Sequence, residues 1–172
     1  MKKILIATLF TAFVFQGAFA QKTNKVIMDP VLHRDVMVGV CTRQGLEQGP
    51  FSQWFYNQYN RYHPDTSLIN TISGKINKTR ITIVFGSWCG DSKMQVGRFY
   101  KVLDEAGYKY PTKIIAVTRS LKAGDTNISW LHIRRIPTFI INYHGKEIGR
   151  IVESPKVSLE ADLATILKKV RK

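Results

Sequence analysis

The chain has 172 residues, 44% of them hydrophobic, and a formal charge of +14 at neutral pH. That length suits one domain with a genuine core, and no long polar linker divides it. The basic residues are dispersed, with a modest cluster at Lys168-Lys169-Val170-Arg171-Lys172. They read first as a soluble surface and second as attraction for acidic proteins or an anionic membrane. No nucleic-acid-binding motif accompanies them, so nucleic acid is not an expected partner.

Met1-Lys2-Lys3 is a basic start, Ile4 to Phe15 an apolar stretch, and Ala18-Phe19-Ala20 a small-x-small cleavage site. The apolar stretch is short of the ~20 residues that span a bilayer. Residues 1–20 therefore read as a signal peptide cleaved after Ala20, and the protein as exported, with the periplasm as its expected compartment. An uncleaved anchor is the alternative. The two cysteines, Cys41 and Cys89, permit one disulfide in an oxidising compartment without arguing for it.

Gln21 to Asp29 reads as a polar, loosely ordered leader of the mature chain. Val36 to Cys41 is apolar and fits either a strand or the end of a short helix. Thr42 to Pro50 holds two glycines and a proline and reads as a loop. Phe51, Trp54, Phe55, Tyr59 and Tyr62 share one helical face, and His63-Pro64 ends that helix. The face reads as packing on a sheet, with a client-binding surface as the alternative. Asp65 or Thr66 can cap a second helix that ends at Gly74.

Ile81-Thr82-Ile83-Val84-Phe85 is a β-branched run that stops at Gly86-Ser87, followed by Trp88-Cys89-Gly90-Asp91-Ser92. Apolar positions then recur at helical spacing from Met94 to Leu103, and Ala106-Gly107 stops that helix. Cys89 thus stands at a helix start, where exposed backbone N–H groups and the helix dipole favour a thiolate. Lys113 to Val117 reads as a strand buried by helices on both faces. Thr118 to Asn127 is a polar loop, and a short helical turn spans Trp130 to Ile133. Thr138 to Tyr143 and Lys146 to Val152 form a hairpin around His144-Gly145, and Ser158 caps a last amphipathic helix.

Trp88-Cys89-Gly90 after a hydrophobic strand resembles the W-C-G-P-C segment of the thioredoxin superfamily. Arg135-Ile136-Pro137-Thr138 and the strand behind it resemble the cis-proline segment of the same family. The likeness covers about residues 78–172. It implies an α/β thioredoxin-like fold, a central mixed β-sheet flanked by helices, with residues 21–77 as an N-terminal helical extension packed on the core. The departures are chemical. Ser92 stands in place of the second motif cysteine and Asp91 in place of the proline. The buried acid that many thioredoxins carry falls on Ile83.

A single motif thiol implies thiol–disulfide exchange through a mixed disulfide with client proteins, in isomerisation, capture or deglutathionylation rather than unaided reduction. The resemblance makes Cys89 the nucleophile, with the Ser92 hydroxyl expected to face its sulfur. Trp88, Gly90, Asp91, Ile136 and Pro137 would contact substrate, Pro137 through a cis bond. The resolving thiol would come from the client, from glutathione or a membrane thiol reductant, or from Cys41, whose alternative is a small buried apolar residue. No His cluster has metal-ligand spacing, so neither a metal nor a cofactor is expected. A monomer is expected. Two other readings stand beside this one. One is a non-catalytic module that binds extended peptides; the other is a binder of glutathione or an iron–sulfur cluster, from the likeness of Cys89-Gly90-Asp91-Ser92 to the C-G-F-S of monothiol glutaredoxins.

Overall fold

The computed structural model describes residues 23–171. The signal-peptide reading and its cleavage site lie outside the described residues. Seven strands and five α-helices follow in order: β1 (Val26–Asp29), β2 (Arg34–Met37), β3 (Gly39–Cys41), α1 (Arg43–Glu47), α2 (Ser52–Arg61), α3 (Thr66–Ile76), β4 (Thr79–Phe85), α4 (Gly90–Glu105), β5 (Lys113–Ala116), β6 (Thr138–Tyr143), β7 (Lys146–Val152) and α5 (Leu159–Leu167). Five of the strands form one mixed sheet in the order β3-β5-β4-β6-β7. Only β4 and β5 run parallel; β3, β6 and β7 each pair antiparallel with their neighbours. The sheet flanked by helices that the sequence implied is the one that forms.

The two faces of this sheet are covered differently. Ile81, Ile83 and Phe85 of β4 share a core with Leu46, Phe55, Ile72, Phe99 and Leu163, so helices α1 to α5 all bury side chains on that face. Alternation along the strands sends Val84, Ile115 and Ile140 to the opposite face. There Ala123, Ile128, Leu131 and Ile136 cover them, from a connection whose only helical piece is a 3₁₀ turn at Ser129–Leu131. The expectation of helices over both faces of β5 is corrected at this point. The apolar run of β5 reports burial on two sides without reporting what does the burying.

Residues 21–77 differ from expectation in four places. Residues 26–37 form a hairpin, β1 against β2, rather than a loose leader. Its turn is held by the buried Asp29 carboxylate, which accepts from the N–H groups of Val31 and Leu32, both at 2.9 Å. β3 then adds an edge strand to the central sheet, so this segment supplies more than a helical extension. Next, residues 43–47 are helical, because the Thr42 hydroxyl caps Gly45 N–H and Arg43 pairs with Glu47 one turn on. Gly45 inside it, and Gly49-Pro50 after it, are the residues that make this stretch read as a loop. α3 begins at its Asp65 cap as expected but runs through Gly74 to Ile76.

The aromatic face of α2 packs inward, as its amphipathic pattern implied. Phe55 is fully buried, Phe51 nearly so, and Trp54, Tyr59 and Tyr62 lie half-buried against them. α2 lies against α4 at Gly97, where there is no room for a side chain. A second tie joins α1 to α4. Arg43 forms a two-pronged pair with the Asp104 carboxylate, both contacts at 2.7 Å, and the Tyr59 hydroxyl donates to the same group at 2.7 Å. Burial opposes ionisation of Asp104, but Arg43 and Tyr59 outweigh it and hold the carboxyl below its ordinary range.

Candidate active site

β4 ends at Phe85, in the middle of the sheet, and the chain must turn there to enter α4. Gly86 makes the turn possible by its lack of a side chain. A Cβ there would stand 2.7 Å from Ile136 Cδ1 and 2.8 Å from the Trp88 ring. Ser87 is buried and its hydroxyl accepts from Met37 N–H at 2.9 Å, which pins the β1–β2 hairpin to the turn. The Trp88 indole N–H donates to Val117 O at 2.8 Å, locking the ring over the end of β5. Cys89 N–H then bonds Gly86 O at 2.9 Å, which closes the turn.

These bonds place Cys89 as the N-cap residue of α4, in extended geometry and half-buried. Its sulfur lies 3.9 Å from the carbonyl oxygen of Ile136. The Ile136–Pro137 peptide is cis, so the proline loop faces the thiol in the way the resemblance implied. Gly90 and Asp91 are exposed on the first turn, while Ile136 and Pro137 are buried. Trp88, Cys89, Gly90, Asp91, Ile136 and Pro137 therefore surround one thiol, although nearly fifty residues of chain separate the two segments.

Ser92 and Cys41 take other parts. Ser92 is fully buried, and its oxygen accepts from Gly86 N–H at 3.1 Å. It makes no hydrogen bond to the Cys89 sulfur, so the expectation that its hydroxyl steadies the thiolate is corrected; it anchors the turn instead. Replacing Ser92 with alanine would leave a buried N–H without an acceptor. The expected loss is about 1–3 kcal/mol, read as a lower urea midpoint with unchanged slope. An unshifted midpoint would remove this anchoring role.

Cys41 sits on β3, opposite Ile114 of β5, which in turn lies opposite Ile83 of β4. Two strand spacings, ~9–10 Å, thus separate it sideways from β4. It also faces the helix-covered core, whereas Cys89 packs with the cluster on the other side of the sheet. A disulfide needs Cα atoms within ~7 Å. Both thiols are free, and burial pushes the Cys41 thiol up to about 12, partly offset by the backbone at Ala116. The expectation that Cys41 could resolve a Cys89 adduct is corrected to the alternative of a small buried apolar residue.

Two cationic groups beside Trp88, Arg34 and Arg119, join Lys93 near the thiol. Arg34, from the β1–β2 hairpin, donates to Trp88 O at 3.1 Å, and the Arg119 guanidinium lies 5.7 Å from the Trp88 ring centroid. Lys93 stands one turn along α4 from Cys89, its N–H bonded to Cys89 O at 3.0 Å. Burial and the Arg34 charge push the Lys93 pKa down, opposed by Cys89. Lys93 is readable from its spacing. Arg34 is 54 residues from Trp88 in sequence, and no periodicity links the two. Among the described residues, no group of three or more His, Cys, Asp or Glu side chains is placed to hold a metal ion.

No family model and no curated protein matches the chain. Solved structures do. An HIV epitope-scaffold is similar over 70% of this chain and 83% of its own, at 11% identity and a TM-score of 0.50. A protein of unknown function from Pseudomonas aeruginosa is similar over 68% of this chain and 79% of its own, at 14% identity and a TM-score of 0.47. The reduced thioredoxin pre-protein of Schistosoma mansoni is similar over 62% of this chain and 92% of its own, at 22% identity and a TM-score of 0.38. At 11% identity, the likeness to the epitope-scaffold bears on fold alone. The strand order β3-β5-β4-β6-β7, the helix that follows the central strand and the cis proline facing its first turn make this a thioredoxin-like fold.

Proposed function

We propose that this protein is exported and carries out thiol–disulfide exchange through Cys89 alone, forming mixed disulfides with client proteins. The observation that carries the reading is the sulfur's place: a half-exposed helix N-cap, 3.9 Å from the carbonyl that precedes a cis proline. The leader pattern in residues 1–20 supports export.

In the exchange step, the Cys89 thiolate attacks one sulfur of a client disulfide. The client S–S bond breaks, a Cys89–client disulfide forms, and the departing client thiolate takes up a proton from water. The number of disulfides is unchanged: the Cys89 sulfur is oxidised to the disulfide level as the departing client sulfur is reduced to a thiol. With Ser92 and not a cysteine one turn on, and Cys41 on the other face of the sheet, release needs a second thiol from the client or from a small thiol such as glutathione. That suits capture, isomerisation or deglutathionylation. The Ile136 N–H donates to no other group among the described residues, which leaves it for the backbone of an extended client segment.

Intact-mass measurement of the reduced protein after incubation with a disulfide-bonded peptide tests this. The expected product is one peptide adduct, on Cys89, stable until a thiol is added. A Cys41–Cys89 disulfide would overturn the single-thiol reading. Failure of Cys89 to react in the folded protein would overturn exchange altogether and leave a peptide-binding module.

A further inference from the structure

Charge surrounds Cys89 unevenly. On the Trp88 side stand Arg34 and Arg119, placed by the hairpin and by the segment after β5, and Lys93 of α4 is near enough to feel both Arg34 and Cys89. On the proline side, Arg134 and Arg135 immediately precede Ile136, and both are exposed. They line a shallow pocket of ≈ 270 Å³ together with His132, Thr138, Arg150 and Val152.

The carboxylates nearby do not neutralise this set. Asp29 is buried and held by its own turn, although it feels Arg119 and Arg34. Glu153 pairs with Arg135 at 3.0 Å, at a contact where the arginine side chain remains 69% exposed. Asp91, on the first turn of α4, is the acid next to the thiol. Among the described residues, Arg34, Lys93, Arg119 and Arg134 make no contact ion pair. Burial and the neighbouring Arg34 disfavour the charge on Lys93, and the Cys89 thiol, not a carboxylate, is the group that favours it.

We propose that the Cys89 site selects disulfides in acidic polypeptide segments, with carboxylates on either side of the client's reactive cysteine meeting the Arg34–Lys93–Arg119 group and the Arg134–Arg135 group. The inference rests on the exchange reading above and adds the substrate class. A chain crossing the thiol beside the proline loop runs from one cationic group toward the other. Acids on both sides of its cysteine therefore meet a cation each, and a single small anion would meet only one group. The charges act chiefly on encounter, raising the local concentration of acidic segments before any bond changes.

The test uses matched peptides, each with one cysteine activated as a 2-thiopyridyl disulfide and flanked by glutamates, glutamines or lysines. Attack by Cys89 forms the peptide disulfide and releases pyridinethione, whose absorbance reports the rate. Rates are divided by those of an uncharged thiol with the same peptides, which removes each peptide's own reactivity. At low salt the glutamate peptide should react ~10-fold faster than the glutamine peptide, and the lysine peptide slowest. The gap should close near 1 M salt, where screening acts within ~3 Å. Acid on one flank alone should give an intermediate rate, and Lys93→Glu should shrink the acidic preference. Equal rates for all peptides at low salt, with Cys89 reacting, would overturn charge selection and leave exchange standing. No reaction of Cys89 with any of them would overturn both.

Discussion

Replacing Cys89 with serine is expected to lower the rate of covalent capture of a disulfide peptide by ~10³-fold or more, to background, because a hydroxyl at neutral pH supplies almost no anion for the attack. Cys41→Ala should capture at the parent rate. The contrast comes from position. Cys89 is half-buried at a helix start beside the Ile136 carbonyl, and Cys41 is buried on the far face of the sheet with its thiol pushed up to about 12. At pH 7 such a thiol is almost wholly protonated, and no client sulfur reaches it. Peptide mapping after trapping decides the matter. Capture that survives Cys89→Ser and disappears with Cys41→Ala would reverse the assignment of the two thiols.

Gly97→Ala is expected to destabilise the fold by about 2–3 kcal/mol, the upper part of the usual cost of overpacking. The new Cβ would stand 2.5 Å from the Phe55 carbonyl oxygen and 3.2 Å from the Tyr59 nitrogen, both backbone atoms of α2. A backbone cannot swing aside as a side-chain tip does, so α2 must retreat from α4 and loosen the packing of Phe55. The corresponding fall in Tm is roughly 5–10 °C. Gly74→Ala should act in the opposite direction. That glycine is exposed in α3, and an added Cβ meets nothing within 4 Å, so better helix propensity should stabilise by about 0.5–1 kcal/mol. Thermal unfolding of the two variants side by side checks both signs. A Gly97→Ala protein as stable as its parent would mean that α2 does not lie against α4 as described.

Most of the architecture from residue 79 onward was legible in the sequence. β4, α4, β5, the hairpin at His144-Gly145 and the Ser158 cap carry strong local signals: β-branched runs, a helical period, turn residues and a capping hydroxyl. The proline loop was legible through its resemblance, and the Ile136–Pro137 bond is cis. The N-terminal part was harder to read. Strands of three or four residues show little alternation, and the helix at residues 43–47 owes its form to contacts from Asn24 and Asp104 as much as to its own residues.

The sequence by itself determined the position of a single motif thiol after an apolar strand, the glycine that lets the chain turn there, and the proline segment that answers it. These are local or short-range matters, decided by propensity, size and backbone freedom. Only the tertiary structure decided what Ser92 and Cys41 do. The Ser92 oxygen accepts from Gly86 N–H inside the turn, and its hydroxyl makes no bond to the sulfur three residues back. Whether Cys41 could meet Cys89 depended on strand order and facing, which register sets and spacing along the chain does not. The cationic surroundings of the thiol arose the same way. Lys93 lies one turn from Cys89 on the same helix, but Arg34 and Arg119 come from the β1–β2 hairpin and the segment after β5, and only the tertiary fold brings those two against Trp88 beside the thiol.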